Sequence, residues 1–486
     1  MEPLIPSAIY PLGCSFLAFS IFCGVTPGPR LFLMGRSNFS LLGLLFLVSS
    51  CGGQPKERTG PPILVVGMDG LEWSVLDPLL RQGRLPAFSS LISRGVAGSI
   101  RTTQPTFSPV LWTTMATGVG PAEHGIHHFF EASLEGRLLE PSSPLPYSSN
   151  CRKVPALWNL AGQEGLDSLS VAWWVSWPAE EVAHGRVVAS YAAQAQGNLL
   201  WKAGVWTKSL PRLTWPDALE DEVLPYLKRG EPAGPLRAEY NNLFGLVPGK
   251  EGWEFPAGRD AFFRFSFHGD RTHYGIMRDQ LSREIADLNM VYFGLADVAG
   301  HFFWRYRQPG AYRYPIPSEH VEVLGDRIDR AYEVLDGWLA GLLKEVGEDC
   351  LVMVVSDHGM HAANLKNPRH PQSGAHEDAP DGVLILAGPG VDPVGTLPFG
   401  KRQMGSIFAV APTVLDWLGV GVPDYMEGKP LRRWMTAMWR EANPEVGGKD
   451  YRSGFRKPTR PRTPTDGASA TFLESMKEIG YVDSEN

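Results

Sequence analysis

The chain has 486 residues, of which 43% are hydrophobic and 20% are charged, a composition that excludes collagen-like and wholly disordered proteins. Its 45 basic and 52 acidic residues give a net charge of −7, so we expect no nucleic-acid polymer as a partner. Five cysteines are too few for a disulfide framework in a chain of this length.

The first 50 residues have the features of a leader. Met34-Gly-Arg36-Ser-Asn is a short positive segment, residues 41–48 are apolar, and small residues lead to Cys51. This arrangement resembles a bacterial lipoprotein signal peptide. The resemblance implies a lipid on Cys51, a tether over residues 51–61 and attachment to the outer side of a membrane in the bacterial cell envelope. A secreted or periplasmic protein is the alternative.

Four short apolar segments rich in β-branched residues predict buried strands. They are residues 62–67, 290–295, 351–355 and 383–386. Helical periodicity predicts three helices, over residues 77–94, 321–346 and 405–418. The alternation predicts the fold class: α/β, with a doubly wound, mostly parallel central sheet that binds its ligand beyond the carboxyl ends of the strands.

Residues 150–285 differ from the rest of the chain, because they are rich in Trp, Pro and Gly and contain few strand-like runs. We expect them to form a cap inserted into a catalytic domain of residues 62–436. Residues 437–486 follow as a polar tail, with a short terminal helix predicted over 471–479.

Aspartate and histidine side chains follow the predicted strands in four motifs. The six residues are Asp69, Asp297, His301, Asp357, His358 and His376. Carboxylate together with imidazole favours borderline cations such as Zn²⁺, and two such ions can hold a phosphoryl group from both sides. Each aspartate alone could be a turn or cap residue. Adjacent parallel strands would bring all six to one edge of the sheet, so we expect two divalent ions there, zinc by preference.

Ser108-Pro109 predicts the start of a helix, with serine as the N-cap and proline at the first helical position. A hydroxyl at a helix N-terminus beside a metal can also attack phosphorus, while the helix N–H groups receive the phosphate. The metal motifs favour the nucleophile over a simple cap. Thr106 is the alternative nucleophile.

Several other residues have both a structural and a functional interpretation. The cluster of Trp173, Trp174 and Trp177 either forms core or stacks on a substrate. We expect His124 to hydrogen-bond within a turn, and Asn159 and His268 are weaker candidates for substrate contacts.

The order of these motifs resembles the alkaline phosphatase superfamily. The matching segments are Asp69, Thr-Phe-Ser108-Pro, Ala-Thr-Gly118, His124-Gly-Ile126, Asp297-x-x-Gly-His301, Asp357-His358-Gly and His376. Within the superfamily the chain is most similar to the type I phosphodiesterase/nucleotide pyrophosphatase branch and the phosphohydrolase/phosphomutase group beside it. The resemblance extends over residues 62–431 and implies an alkaline-phosphatase-like domain.

The resemblance also implies roles for the motif residues. One ion would be held by Asp297, His301 and His376, and the other by Asp69, Asp357 and His358. Ser108 would be the nucleophile and would pass through a phosphoenzyme intermediate.

The chain departs from the family pattern after the nucleophile. Leu111 stands where the nucleotide pyrophosphatases have an asparagine, and no arginine directly follows Ser108. The missing guanidinium favours a diester, which carries one negative charge, over a monoester. It also argues against a sulfatase.

The sequence therefore predicts a metal-dependent phosphohydrolase that cleaves phosphodiester or pyrophosphate bonds in a phosphate-ester substrate. A phosphomutase or a phosphoethanolamine-type transferase could use the same site. The third hypothesis, a non-catalytic binding lipoprotein, is disfavoured because all six ligand positions are occupied by ligand-type residues.

Overall fold

The computed structural model describes residues 60–455, apart from 132, 135–136, 139–144, 191, 193–211 and 230–233. These residues lie in one compact unit, which spans 55–486. The predicted leader, Cys51 and the helix over 471–479 lie outside the described residues. Within the described part of the chain, no helix combines the length and the apolar character needed to cross a membrane.

The described strands are short, and most belong to one central sheet. In chain order they are β1 Ile63–Met68, β2 Gly95–Arg101, β3 Phe130–Glu131, β4 Ser133–Leu134, β5 Arg137–Leu138, β6 Leu145–Pro146, β7 Ser168–Val171, β8 Gly185–Val188, β9 Thr214–Trp215, β10 Leu288–Phe293, β11 Leu351–Val355, β12 His361–Ala362, β13 Gly374–Ala375, β14 Gly382–Ala387, β15 Gly395–Thr396 and β16 Gln403–Ser406.

The described α-helices alternate with these strands. They are α1 Trp73–Arg81, α2 Pro86–Ser93, α3 Ser108–Thr117, α4 Pro121–His124, α5 Leu157–Gln163, α6 Leu219–Arg229, α7 Leu236–Phe244, α8 Glu254–Arg283, α9 Leu295–Arg307, α10 Ser318–Leu324, α11 Arg327–Val346, α12 Val410–Trp417 and α13 Ala437–Ala442.

The central sheet has the order β15-β2-β14-β11-β1-β10-β7-β8-β9, and β16 also pairs with β2. Strands β11, β1, β10, β7 and β8 are parallel neighbours, whereas β14 is antiparallel to β11 and to β2. Helices flank the sheet: α2 packs against β2 and β14, α8 against β7 and β10, and α5 against β7 and β8. This confirms the predicted fold class, a doubly wound α/β fold with a mostly parallel sheet.

The central strands are apolar throughout because both faces of the sheet are covered. Every residue of β1, β10, β11 and β14 is buried, which is why these strands read as continuous hydrophobic runs. The run at 383–386 forms the buried strand β14, as predicted, and this strand runs antiparallel to β11. A buried central strand has the same composition in either direction.

The predicted helices need three corrections. The single helix predicted over 77–94 is α1 and α2, separated by a turn in which Gly83 has a φ of +70°. The segment 321–346 contains the end of α10 and all of α11. The segment 405–418 contains the end of β16, a 3₁₀ turn and α12, and Gly419 with a φ of +67° ends this helix as expected.

The segment 150–285 is more than a cap. It contributes β7, β8 and β9 to the central sheet, and its long helix α8 packs against β10, α9 and α11. These parts belong to the body of the domain, so the expectation of an insertion does not hold for them. In the tail, Tyr451 is buried and donates a hydrogen bond to Glu164 at 2.9 Å, which joins residues 437–455 to the body.

Candidate active site

Three parallel strands end side by side, and each is followed by one of the predicted aspartates. Asp69 comes directly after β1, Asp357 comes two residues after β11, and Asp297 lies in the first turn of α9, which follows β10. The register pairs Gly67 with Tyr292 and with Val355, so the three strands end at the same level. This places the three carboxylates at one edge of the sheet, where doubly wound folds bind their ligands.

The first group of ligand-type residues is Asp297, His301 and His376. Asp297 and His301 lie one turn apart on α9, with Asp297 Oδ1 3.3 Å from His301 Nε2. His376 follows β13, and one ligand atom from each of the three residues lies within 4.8 Å of the others. All three side chains are buried.

Helix α9 also holds the loop that carries His376. Ser373 Oγ donates to the carbonyl of Phe302 at 3.1 Å, and the Ser373 N–H donates to the carbonyl of His301 at 2.6 Å. The buried guanidinium of Arg305 donates to the carbonyl of His370 at 2.8 Å. The helix that bears two of the ligands therefore fixes the position of the third.

The second group is Asp69, Asp297 and His358, again with ligand atoms within 4.8 Å of one another. His358 Nε2 lies 3.3 Å from Asp69 Oδ1 and 3.3 Å from Asp357 Oδ2. The structure thus brings together all six predicted ligand residues. It differs from the predicted division in two respects: Asp297 belongs to both groups, and Asp357 lies beside the second group, in contact with His358, without being one of its three residues.

The histidines are oriented by their Nδ1 atoms. Nδ1 of His301 faces the carbonyl of Gly374 at 2.9 Å, and Nδ1 of His358 faces the carbonyl of Gly359 at 3.1 Å. A carbonyl only accepts hydrogen bonds, so both Nδ1 atoms carry a proton, which leaves Nε2 as the nitrogen that each ring would offer to a cation. Metal-binding histidines have this arrangement in general, with the second nitrogen held by a carbonyl or carboxylate.

The electrostatics of the site are those of buried, crowded charges. Burial, together with neighbouring Asp297, raises the pKa of Asp69, and burial together with Asp69 raises the pKa of Asp357 well above its ordinary value. Burial also lowers the pKa of His376, which His358 and His301 lower further. For Asp297 burial acts to raise the pKa, but the nearby histidines, His301 first, outweigh it and lower the pKa.

Several buried polar atoms in the second group and in the adjoining Asp357 have no hydrogen-bond partner. They are Asp69 Oδ1, both carboxylate oxygens of Asp357 and His358 Nε2. Buried polar atoms are rarely left in this state, and a cation among them would satisfy all four. The residues present therefore fit a divalent ion with mixed oxygen and nitrogen ligands.

Ser108 lies at the start of a fully buried helix. The helix begins at Ser108, and Phe107 occupies the N-cap position, so the expectation that Ser108 is the N-cap is wrong by one residue. Ser108 itself is buried. The positive end of the α3 dipole lies at this residue, which suits the binding of an anion.

Two contacts from neighbouring residues connect Ser108 to both ligand groups. Two residues before it, Thr106 Oγ1 lies 3.0 Å from Nδ1 of His376 and also donates to the His376 carbonyl at 3.3 Å. Four residues after it, Trp112 Nε1 donates to Asp69 Oδ2 at 3.1 Å. Ser108 lies in the chain between these two anchors.

The Thr106 hydroxyl is not free, because it makes hydrogen bonds with His376 and so helps to position this histidine. Because its hydroxyl proton is given to the His376 carbonyl, Thr106 Oγ1 accepts from the His376 ring. This interaction was not predicted, and neither were the contacts of Trp112 and Tyr292 with Asp69. The only feature of the sequence that pointed to Thr106, Trp112 and Tyr292 was their position beside the motifs.

Most of the remaining candidates lie in the core. Trp173 and Trp177 are fully buried and Trp174 is 5% exposed, so the tryptophan cluster is core and not an open stacking surface. His124 accepts a hydrogen bond from the N–H of Ile126 within its turn, as expected. Asn159 receives a hydrogen bond from buried Arg152, and His268 is buried in α8. The cysteines at 151 and 350 form no disulfide.

Comparison with known proteins places the chain in a family. The sequence matches the family described as type I phosphodiesterase / nucleotide pyrophosphatase over residues 63–392. Comparison with curated protein sequences found no match.

Comparison with solved structures found similar chains of low sequence identity. An inactive form of murine ectonucleotide pyrophosphatase / phosphodiesterase 5 in complex with AMP is 12% identical, with 77% of this chain and 100% of that chain covered and a TM-score of 0.46. A mutant of the alkaline phosphatase PafA is 15% identical, with 77% and 99% covered and a TM-score of 0.46. Phosphonoacetate hydrolase from Sinorhizobium meliloti 1021 with phosphonoformate is 17% identical, with 62% and 57% covered and a TM-score of 0.37. The family match spans well over half of the chain, and the chain therefore belongs to the type I phosphodiesterase / nucleotide pyrophosphatase family.

Proposed function

We propose that this protein is a two-metal phosphohydrolase that cleaves phosphodiester or pyrophosphate bonds through a phosphoenzyme on Ser108. Membership of the family indicates an enzyme that hydrolyses phosphoesters and depends on metal. The number and identity of the ions and the serine intermediate are our additions. The observation that carries them is the pair of buried ligand groups that share Asp297 and lie beside the start of α3.

The residues present suggest how two ions would be held. Asp297, His301 and His376 would hold one ion, and Asp69, Asp357 and His358 the other, with Asp297 available to both. Nitrogen and oxygen ligands together favour zinc over magnesium or calcium. When bound, such ions supply positive charge that lowers the pKa of a nearby hydroxyl and neutralises the phosphoryl oxygens.

In the proposed reaction Ser108 Oγ forms a bond to phosphorus while the bond from phosphorus to the leaving oxygen breaks. The serine proton passes to the leaving group, which departs as an alcohol or a phosphate. Water then displaces the serine from phosphorus, which restores the hydroxyl and releases the phosphorylated product. Pro109 has no N–H, and the N–H groups of Val110 and Leu111 donate to the Phe107 carbonyl at 2.8 and 3.0 Å. The helix would therefore act on the phosphoryl oxygens through the positive end of its dipole. Burial of Ser108 limits competition from bulk water.

The residues that follow Ser108 favour a diester substrate. Leu111 is fully buried in the core, so it leaves the phosphoryl oxygens without the amide that the resemblance leads one to expect. Pro109 and Val110 also supply no charged group. A phosphoryl group with a single negative charge requires less compensation than a doubly charged monoester.

The test uses the full-length protein with Ser108→Ala, and Thr106→Val as the matched control. We expect Ser108→Ala to lose phosphoenzyme formation and at least about a thousandfold in kcat for bis-p-nitrophenyl phosphate, with normal metal content. Thr106→Val should still form a phosphoserine. A phosphoenzyme that persists in Ser108→Ala and disappears in Thr106→Val would transfer the nucleophile to Thr106. Faster hydrolysis of p-nitrophenyl phosphate than of the diester would contradict the substrate class.

We also propose that the protein is attached to the bacterial cell envelope by a lipid on Cys51. The support is the leader pattern alone, since Cys51 lies outside the described residues.

A further inference from the structure

One carboxylate oxygen of Asp69 receives two hydrogen bonds from aromatic side chains. The Tyr292 hydroxyl donates to Asp69 Oδ2 at 2.6 Å, and Trp112 Nε1 donates to the same oxygen at 3.1 Å. The other oxygen, Oδ1, lies 3.3 Å from His358 Nε2 and has no hydrogen-bond partner. The two oxygens of one side chain therefore have different environments.

The central sheet places both hydrogen-bond donors beside Asp69. Tyr292 on β10 pairs in register with Gly67 on β1. Because Gly67 has no side chain, the Trp112 indole can lie against β1: a Cβ at this position would be 2.5 Å from Trp112 Cζ3. Gly67 thus opens the space through which the indole reaches Asp69.

The two donors are themselves held in place. The rings of Trp112 and Tyr292 pack edge to face with centroids 4.9 Å apart, and those of Trp112 and Trp173 with centroids 5.2 Å apart. Trp173 Nε1 donates to the Trp112 carbonyl at 3.0 Å. All three side chains are at most 2% exposed. We refer to Trp112, Trp173 and Tyr292 as the aromatic cradle.

The cradle has a directional effect on Asp69. With two donors on Oδ2, rotation of the carboxylate would break both hydrogen bonds in a buried environment, where an unsatisfied polar group costs about 1–3 kcal/mol. Oδ1 is therefore kept toward His358 and the second ligand group. Outer contacts of this kind orient metal ligands and raise the affinity for the ion.

We propose that Tyr292 and Trp112 are positioning residues that set the affinity of the ion site formed by Asp69, Asp357 and His358. The inference rests on the proposed function, since it requires that this group binds a divalent ion. It further requires that the group of Asp297, His301 and His376 depends much less on the cradle, because the hydroxyl and indole N–H groups of the cradle donate to Asp69 and to the Trp112 carbonyl.

The test compares Tyr292→Phe with Tyr240→Phe in the full-length protein. Tyr240 is a closely matched control, since it is fully buried and donates to Asp260 Oδ1 at the same distance of 2.6 Å, in a cluster that includes none of the six ligand residues. Metal-free protein is titrated with zinc against a chromophoric chelator of known affinity, so that two equivalents are resolved.

We expect Tyr292→Phe to weaken one of the two zinc equivalents by about 10–100-fold and to leave the other unchanged. Its kcat/KM should fall at limiting zinc and recover at saturating zinc, and the Tyr240→Phe control separates this dependence from a general loss of stability that zinc binding would also offset. Tyr240→Phe should bind both equivalents as the wild type does. Trp112→Phe, which removes the other donor and keeps an aromatic ring of smaller volume, should weaken the same equivalent.

Two outcomes would overturn the inference. Wild-type affinity for both equivalents in Tyr292→Phe and Trp112→Phe would show that the cradle does not act on the ion. Equal weakening of both equivalents, matched by Tyr240→Phe, would show a structural effect only. A wild-type protein that binds fewer than two ions would instead contradict the proposed function, so the two failures are distinguishable.

Discussion

Replacing Gly67 with alanine tests the packing that places Trp112 beside Asp69. The new Cβ would lie 2.5 Å from Trp112 Cζ3 and 2.8 Å from Cη2, whereas ordinary contacts are 3.4–4 Å. The indole cannot move aside easily, because it is fully buried and the Trp112 carbonyl accepts a hydrogen bond from Trp173. Overpacking of this kind costs about 1–3 kcal/mol in the free energy of unfolding. We expect Gly67→Ala to lose stability in that range.

The assay is urea unfolding of the full-length protein, monitored by tryptophan fluorescence and by circular dichroism. Gly337→Ala is the matched control, since Gly337 lies on an exposed position of α11 and an added Cβ meets nothing within 4 Å. Replacing a helical glycine with alanine at an open position stabilises by about 0.5–1 kcal/mol, so the two variants should change in opposite directions. If Gly67→Ala is as stable as the wild type, the close contact with Trp112 does not determine the packing and our reasoning fails.

Two further predictions concern other parts of the chain. Burial, with His127 and Arg152 nearby, lowers the pKa of His124 from about 6.5 to about 3, so the folded state resists the proton that the unfolded chain accepts. Its contribution to stability is complete above pH 6.5 and decreases as the pH falls toward 3, by about 2 kcal/mol at pH 5. His124→Asn should therefore flatten the fall in the free energy of unfolding between pH 6.5 and 5, and an unchanged slope would contradict the assignment. Cys51→Ala should release the protein from the membrane fraction, as followed by immunoblotting after fractionation. Continued attachment would identify a different anchor.

The metal-ligand set could be predicted because its residues follow local rules. Asp69 and Asp357 come just after buried apolar strands, and Asp297 and His301 have the spacing of one helical turn. In a parallel sheet, the carboxyl ends of neighbouring strands share one edge, so these positions converge whatever the details of packing. The prediction for Asp297 was incomplete, because it gave this residue to one ion, whereas the structure places it in both groups.

The sequence does not show why His376 lies in the site. His376 precedes β14, and because β14 is antiparallel to β11, the chain enters this strand at the edge where the parallel strands end. A parallel β14 would begin at the opposite edge. The direction of a fully buried strand cannot be inferred from its composition. In this structure the direction of β14 is set by its pairing with β2 and β11.

The sequence alone determined the fold class, the main strands of the sheet and the identity of the chemistry-bearing residues, because hydrophobic periodicity and ligand chemistry are local properties of the chain. Tertiary structure decided which groups support those residues. Thr106 lies 270 residues from His376, and Tyr292 lies 223 residues from Asp69. Contacts between such distant positions depend on strand order, register and the space left by Gly67, and these are set only when the whole core packs together.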